Sequence, residues 1–245
     1  MSKLTLSTII VFLFSAALFA ADKKEVTIPA DDGFSLKGTL YSAGKVGPGL
    51  LLLHQCNADR QIYDTLGTML SAAGYNALTL DFRGFGGSKN DQYPNLASAR
   101  DKMPADVDAA FQFLSSQNQV NKTVIGVVGG SCGVNQAIQV ARRHPEIKTL
   151  VLLSGGTDGE GETFIKNSAK MPVFGAASEE DTNAAASIKK IVGLSTNRDS
   201  KLTMLKGAGH AASMFEKEPE LQADIVIWFR TNLPVSGYAV LPGSK

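Results

Sequence analysis

The sequence predicts an α/β fold, a mostly parallel central sheet of about eight strands with helices on both faces. Three observations predict it. Short apolar runs alternate with stretches of helical spacing from residue 22 onward. The middle runs are continuously apolar, as strands covered on both faces must be. No internal repeat and no Pro- or Ser-rich linker divides the 245 residues, a length that suits one domain.

In chain order, EVTIPADDGFSLKGTL reads as two short strands about the turn Asp31-Asp32-Gly33. GLLLLHQ, entered through Gly47-Pro48-Gly49, is a covered third strand. Ile62, Leu66, Met69, Leu70 and Ala73 follow helical spacing until Gly74 ends the helix. YNALTLDF is the fourth strand and breaks at the glycine-rich RGFGGS. Val107, Ala110, Phe111 and Leu114 mark one face of a helix, and TVIGVV is the fifth strand. Val134, Ala137, Ile138 and Ala141 repeat the helical spacing, which stops before Pro145. IKTLVLL and MPVFGAA are strands, a helix is expected around 184–192, and KLTML is the last strand. Leu221, Ile225, Trp228 and Phe229 face a final helix, and residues 234–245 show no period and read as a loose tail.

The charge balance, +1 from 24 basic and 23 acidic residues without a Lys/Arg block, lacks the footprint of a nucleic-acid partner. Residues 1–21 stand apart. Lys3 gives a basic start, Ile9 to Ala21 is an apolar run, and DKKE ends it. The run is shorter than the roughly 18 to 20 residues of a membrane span, so a secretory signal is expected and no stable membrane insertion after its removal. Its cleavage site is imperfect, since cutting after Ala20 or Ala21 puts Leu18 or Phe19 where a small residue is preferred. The expected domain is 22–233, exported to a periplasm or secreted.

In an open sheet of this kind ligands bind beyond the carboxyl ends of the strands, so chemistry is sought in the loops that follow them. GVVGGSCGVNQ places Ser131 and Cys132 side by side between a strand and a helix. A nucleophile in so tight a bend needs small residues two positions before and after it. Ser131 has Gly129 and Gly133 there; Cys132 would have Gly130 and Val134, and Val134 is also the first apolar position of the helix. Ser131 is therefore the expected nucleophile. A phosphate-binding turn is the plainer alternative, but the segment lacks the P-loop lysine and is not G-x-G-x-x-G.

A serine needs a base, and the base an acid. Of three histidines, His144 ends a helix and His54 closes a buried strand as an anchor of its loop. His210, in the loop after the last strand, is the expected base. The acids after the preceding strand are Glu179, Glu180 and Asp181; Asp181 is chosen, with Asp158 in the loop before it as the second candidate. No His/Cys cluster has metal-ligand spacing, so neither metal nor organic cofactor is expected.

These residues resemble the α/β-hydrolase superfamily, in which the order serine, acid, histidine is required. LLLHQCNADRQIY resembles its His-Gly segment, LDFRGFGGS its D-x-R-G-x-G-x-S segment and GAGHAASMF its histidine loop, so the likeness spans residues 25–233. Within the family the short chain is similar to dienelactone-hydrolase-like and small esterase-like members, although their cysteine-nucleophile variants carry a different elbow. The resemblance implies an oxyanion hole made by the backbone N–H groups of Gln55 and Cys132, with Gln55 standing where the family usually has glycine. It makes Asp81 and Arg83 structural pins of the glycine loop. It also puts Cys56 and Cys132 on opposite sides of the hole. An exported protein could bond them, and two free, partly buried thiols are the plainer expectation.

The function this implies is an exported serine hydrolase cleaving an ester, thioester or amide of a small soluble substrate. The stretch between Leu153 and Met171 is only loop-length, so no lid domain is expected and the site should be open. Two other readings share the scaffold: a non-catalytic binding or accessory protein, and an acyltransferase or peptidase using the same three residues.

Overall fold

A computed structural model describes residues 22–235. The expected signal peptide and residues 236–245 of the expected tail lie outside the described residues. The strands are β1 (Asp22–Pro29), β2 (Ser35–Ser42), β3 (Gly47–Leu53), β4 (Asn76–Leu80), β5 (Val120–Gly130), β6 (Ile147–Leu153), β7 (Val173–Ser178) and β8 (Lys201–Leu205). They form one eight-stranded sheet in the order β1-β2-β4-β3-β5-β6-β7-β8. β1, β2 and β4 pair antiparallel at one edge, and from β4 to β8 every pairing is parallel. This is the α/β-hydrolase arrangement that the sequence predicts.

The helices are α1 (Asp64–Ala72), α2 (Leu96–Ala99), α3 (Met103–Ser116), α4 (Cys132–Arg143), α5 (Gly159–Asn167), α6 (Thr182–Leu194), α7 (Ala212–Lys217) and α8 (Glu220–Asn232). The period-2 alternation of the central strands sorts their side chains into two layers. Leu51, Leu53, Val127 and Leu152 face Val107, Phe111, Val134, Ile138 and Ile188 of α3, α4 and α6. Leu50, Leu52, Val128 and Val151 face Leu66, Leu70, Ile225, Trp228 and Phe229 of α1 and α8. All four leucines of β3 are fully buried, each worth about 1.5–3 kcal/mol of transfer free energy.

Several local features depart from the sequence reading, among them the short α2 (Leu96–Ala99). Gly47 and Pro48 belong to β3 rather than to the turn before it, and the ladder with β5 slips between Pro48 and Gly49. A proline with no N–H to donate is tolerated at such an irregularity. The stretch from 154 to 170 carries α5, capped by Asp158, and the histidine loop carries α7. Val235, expected in the loose tail, is buried in the α1/α8 layer.

Candidate active site

At the carboxyl end of β5 the chain reverses direction through a single residue. Ser131 takes φ 52° and ψ −115°, a conformation costing about 1–3 kcal/mol for a residue with a Cβ. Its N–H donates to the Leu153 carbonyl (2.8 Å), which ties the turn to the end of β6. The two flanking glycines are there because the turn is closed. A Cβ on Gly129 would sit 2.3 Å from the Gly133 carbonyl oxygen, and one on Gly133 would sit 2.4 Å from the Leu53 carbonyl oxygen. The spacing read in the sequence thus reports two backbone approaches with no room for a methyl group.

The structure brings together the three residues proposed from sequence. Ser131 Oγ lies 2.7 Å from His210 Nε2, and His210 Nδ1 lies 2.5 Å from Asp181 Oδ2. With Nδ1–H donating to the carboxylate, Nε2 is left as the acceptor for the serine hydroxyl proton. The His210 side chain is 41% exposed and that of Asp181 24%, so solvent reaches the imidazole. Asp181 stands at the N-cap of α6, where the helix's first turn favours a negative charge.

The other candidate acids are engaged elsewhere. Glu180 accepts from Ser178 Oγ (2.6 Å) and from the Gly207 N–H (2.7 Å), and those two donors, the hydroxyl first, hold its carboxyl below the usual range. Ser178 Oγ in turn accepts from the Ala208 N–H (3.0 Å), so Glu180 and Ser178 brace the loop that presents His210. The Glu179 N–H donates to the Leu205 carbonyl and extends the β7–β8 pairing. Asp158 caps α5 through the Gly161 N–H (2.8 Å) and accepts from Gln139 (2.9 Å).

Cys132 does not compete with Ser131, because its sulfur is bonded to that of Cys56 across 76 residues. A disulfide sulfur has no thiolate to attack with. This corrects the expectation of two free thiols. The seam between the loops after β3 and β5 is narrow enough for the bond, with the two Cα atoms 5.8 Å apart. The Cys132 N–H is the first of α4, where no preceding turn supplies an acceptor. The Gln55 nitrogen lies 3.9 Å from where a Cβ on Gly130 would stand, beside the same turn. The Gln55 side chain is buried and turned into the protein, its Oε1 accepting from the Ala212 N–H (2.8 Å) and its Nε2 donating to Asn57 Oδ1 (2.5 Å).

Around this centre the remaining sequence candidates have their polar atoms engaged by other groups of the protein. His54 is fully buried; its Nδ1 bonds the Gln55 carbonyl (2.7 Å) and its Nε2 accepts from the Phe82 N–H (3.0 Å). Burial pushes the His54 imidazole below its ordinary pKa. His144 bonds Asp108 and stacks on Phe111. Asp81 accepts from Arg60 and from the Gly87 N–H (2.7 Å), pinning the glycine loop. Arg83, 1% exposed, bonds both Asp32 and Asp106 between the rings of Phe34 and Tyr93. The guanidinium holds the Asp32 carboxyl down at about 2.

The cleft beside Ser131 has a volume of about 350 Å³ and opens to solvent. Beyond the three central residues its lining includes Ser154, Gly155, Gly156, Asn183, Ala184 and Ser187; the first three lie in the loop after β6, one of those where the sequence reading looks for chemistry without giving any of these residues a role. Gly155 had a local signal, since it follows a strand; a Cβ there would sit 2.3 Å from the Ser131 carbonyl oxygen. A larger cavity of about 530 Å³, lined by Arg142, Lys148 and Phe164 among others, lies at the amino end of β6, away from the serine.

The family model Hydrolase_4, serine aminopeptidase, S33, matches residues 47–177, just over half of the chain. An uncharacterized protein of Mycobacterium tuberculosis is 31% identical over 133 residues, 54% of this chain and 45% of that protein. A thiohydrolase of Arthrinium phaeospermum is 30% identical over 121 residues, 49% of this chain and 39% of that protein. The matches thus span less than half the length of these curated relatives. Among solved structures, the esterase Pf2001 of Pyrococcus furiosus superposes with a TM-score of 0.71 at 21% identity, covering 86% of this chain and 93% of that one. A dienelactone hydrolase of Anabaena variabilis superposes with a TM-score of 0.68 at 18% identity, covering 87% and 99%. At those identities the likeness is one of fold.

Proposed function

The chain belongs to the serine aminopeptidase S33 family of hydrolases, and from that premise we propose that it is an exported serine hydrolase cleaving a small, soluble ester, thioester or amide through an acyl-enzyme. The observation that carries the reading is the unbroken path from Ser131 Oγ to His210 (2.7 Å) to Asp181 (2.5 Å) at a strained strand-to-helix turn. In the first half-reaction Ser131 Oγ bonds the substrate carbonyl carbon while its proton passes to His210 Nε2. Asp181 keeps the imidazole in the tautomer that can accept that proton, and stabilises the imidazolium. The oxyanion faces the N–H groups of Cys132 and Gln55, donors of a kind worth about 2.7–4 kcal/mol each when removed elsewhere. Collapse returns the proton to the leaving group; a water then attacks the acyl-serine with His210 as base, and the acid product leaves.

The open cleft of about 350 Å³, walled by glycine and short polar side chains, supports a small substrate. The apolar run at 9–21 and the Cys56–Cys132 bond both support export to an oxidising compartment. The test is fluorophosphonate labelling with the adduct located by peptide mass spectrometry, alongside hydrolysis of short p-nitrophenyl esters. The reading expects label on Ser131 and turnover, both lost in Ser131→Ala. A folded protein that takes no label and turns over no ester is instead a binding protein on this scaffold. Ester formation with an added alcohol in preference to hydrolysis would make it an acyltransferase.

A further inference from the structure

The disulfide joins one proposed oxyanion donor residue, Cys132, to the immediate neighbour of the other, Cys56 beside Gln55. Cys132 carries one proposed donor on its own backbone, and Cys56 directly follows Gln55, which carries the other. The bond therefore closes the gap between the loops after β3 and β5 within one residue of both donors. We propose that the Cys56–Cys132 disulfide is a positioning element of the oxyanion hole, so that turnover depends on its oxidation state. This rests on the reading of Ser131 as nucleophile and deepens it.

The need for such an element follows from how unevenly the two donors are held. Cys132 is built into α4, and α4 is seated against β3 by the Gly133–Leu53 approach. Gln55 has already left the β3 ladder, which ends at Leu53. Its loop is held from behind, by His54 against Phe82 and by its own side chain against Ala212. Toward α4, across the seam where the oxyanion would sit, the disulfide is the covalent tie, beside a long contact from Cys132 Sγ to the His54 carbonyl (3.9 Å). An oxyanion donor acts only when it lies about 2.7–3.1 Å from the developing charge, so tenths of an ångström of drift matter. Both cysteines are half-buried rather than enclosed, within reach of a small dithiol. Reduction transfers two electrons and two protons from the dithiol, which closes to its own cyclic disulfide. The S–S bond becomes two thiols, and an oxidant of the disulfide class reverses the change.

The experiment uses the oxidised protein, the same protein reduced with dithiothreitol, and the Cys56→Ser/Cys132→Ser double variant, each on a short p-nitrophenyl ester. Serines that remain competent are counted by end-point fluorophosphonate titration. Rates are expressed per titrated site, so molecules that unfold on losing the bond drop out. The expected result is a kcat per site about tenfold lower or more without the bond, with KM changed by less than about twofold. Affinity for a trifluoromethyl ketone, which forms an oxyanion on binding, falls in parallel, and reoxidation restores both in the wild type. An unchanged kcat per titrated site in the reduced protein or in the double variant overturns the proposal, as does a loss carried by KM alone. A folded, oxidised protein that takes no label overturns the reading of Ser131 itself, and this inference with it.

Discussion

His54 and His210 leave the same edge of the sheet, one directly after β3 and the other in the loop after β8, and they are held in opposite ways. His54 has no exposed surface, and both ring nitrogens are committed to backbone groups, the Gln55 carbonyl and the Phe82 N–H. It also lies between the rings of Phe82 and Phe85. The His210 side chain is 41% exposed, and its ring nitrogens face a hydroxyl and a carboxylate, groups that can gain or lose a proton. A histidine whose partners are fixed amide groups is a brace with one tautomer. A histidine between a hydroxyl and a carboxylate can pass a proton, the role proposed for His210. The residue type is shared, and the partners decide the role.

Exchanging the two roles by mutation is the sharpest way to break this comparison. His210→Ala should lower kcat/KM by a factor on the order of 10⁴ or more while moving Tm by no more than about 2 °C, measured by ester hydrolysis and thermal unfolding. An equal loss of activity per folded molecule in His54→Ala would erase the distinction. Asp181→Asn comes next. It keeps the shape but presents the wrong partner to Nδ1, and kcat should fall by about 10³–10⁴. Glu180→Gln, one residue away, should cost far less, because its partners Ser178 and Gly207 lie in the brace behind His210. If the two variants lose activity equally, Asp181 is not the acid.

That pair also shows where reading the sequence stops. The eight strands and most helices were legible because burial repeats along the chain with a period of two or 3.6 residues. Ser131 was legible because a turn with no room for a Cβ writes glycines at fixed offsets. Choosing among Glu179, Glu180 and Asp181 was harder. The composition of an acidic run does not say that the first extends a ladder, the second accepts from Gly207 and the third, at the N-cap position of α6, turns its carboxylate to His210. α5 and α7 are one to three turns long and carry few apolar positions, too few to set a period. The disulfide depends on two loops 76 residues apart meeting at the ends of the neighbouring strands β3 and β5, a property of the topology rather than of either segment.

The brace itself should appear in the pH dependence of stability. Burial lowers the His54 pKa in the folded protein below its ordinary value of 6.5. In the window below 6.5 the unfolded chain therefore binds more protons than the folded one, so stability rises with pH and is lost as pH falls through that window. Protonating Nε2 would also remove the acceptor of the Phe82 N–H. His54→Asn should cost about 1–3 kcal/mol at pH 7.5, and it should flatten the fall of Tm between pH 6.5 and 5. A variant whose Tm keeps the wild-type slope would assign that slope to other groups.

The smallest expected effect tests whether the two loops communicate. Gln55 belongs to the His54 loop by sequence, yet its side-chain oxygen accepts the Ala212 N–H, two residues beyond His210. That bond spans the site from the oxyanion side to the base side, and the Gln55 amide nitrogen is anchored on Asn57 so that the carbonyl points the right way. Gln55→Ala keeps the backbone donor and removes only the tie. One neutral hydrogen bond is worth about 1 kcal/mol, so kcat should drop about three- to fivefold. Fluorophosphonate labelling of Ser131 should slow to a similar degree, since both steps need His210 in register. Asn57→Ala, which frees the amide end alone, should fall between this variant and the wild type. If Gln55→Ala leaves kcat and labelling untouched while lowering Tm, the tie is purely a brace, and Gln55 joins His54 on the structural side of the comparison.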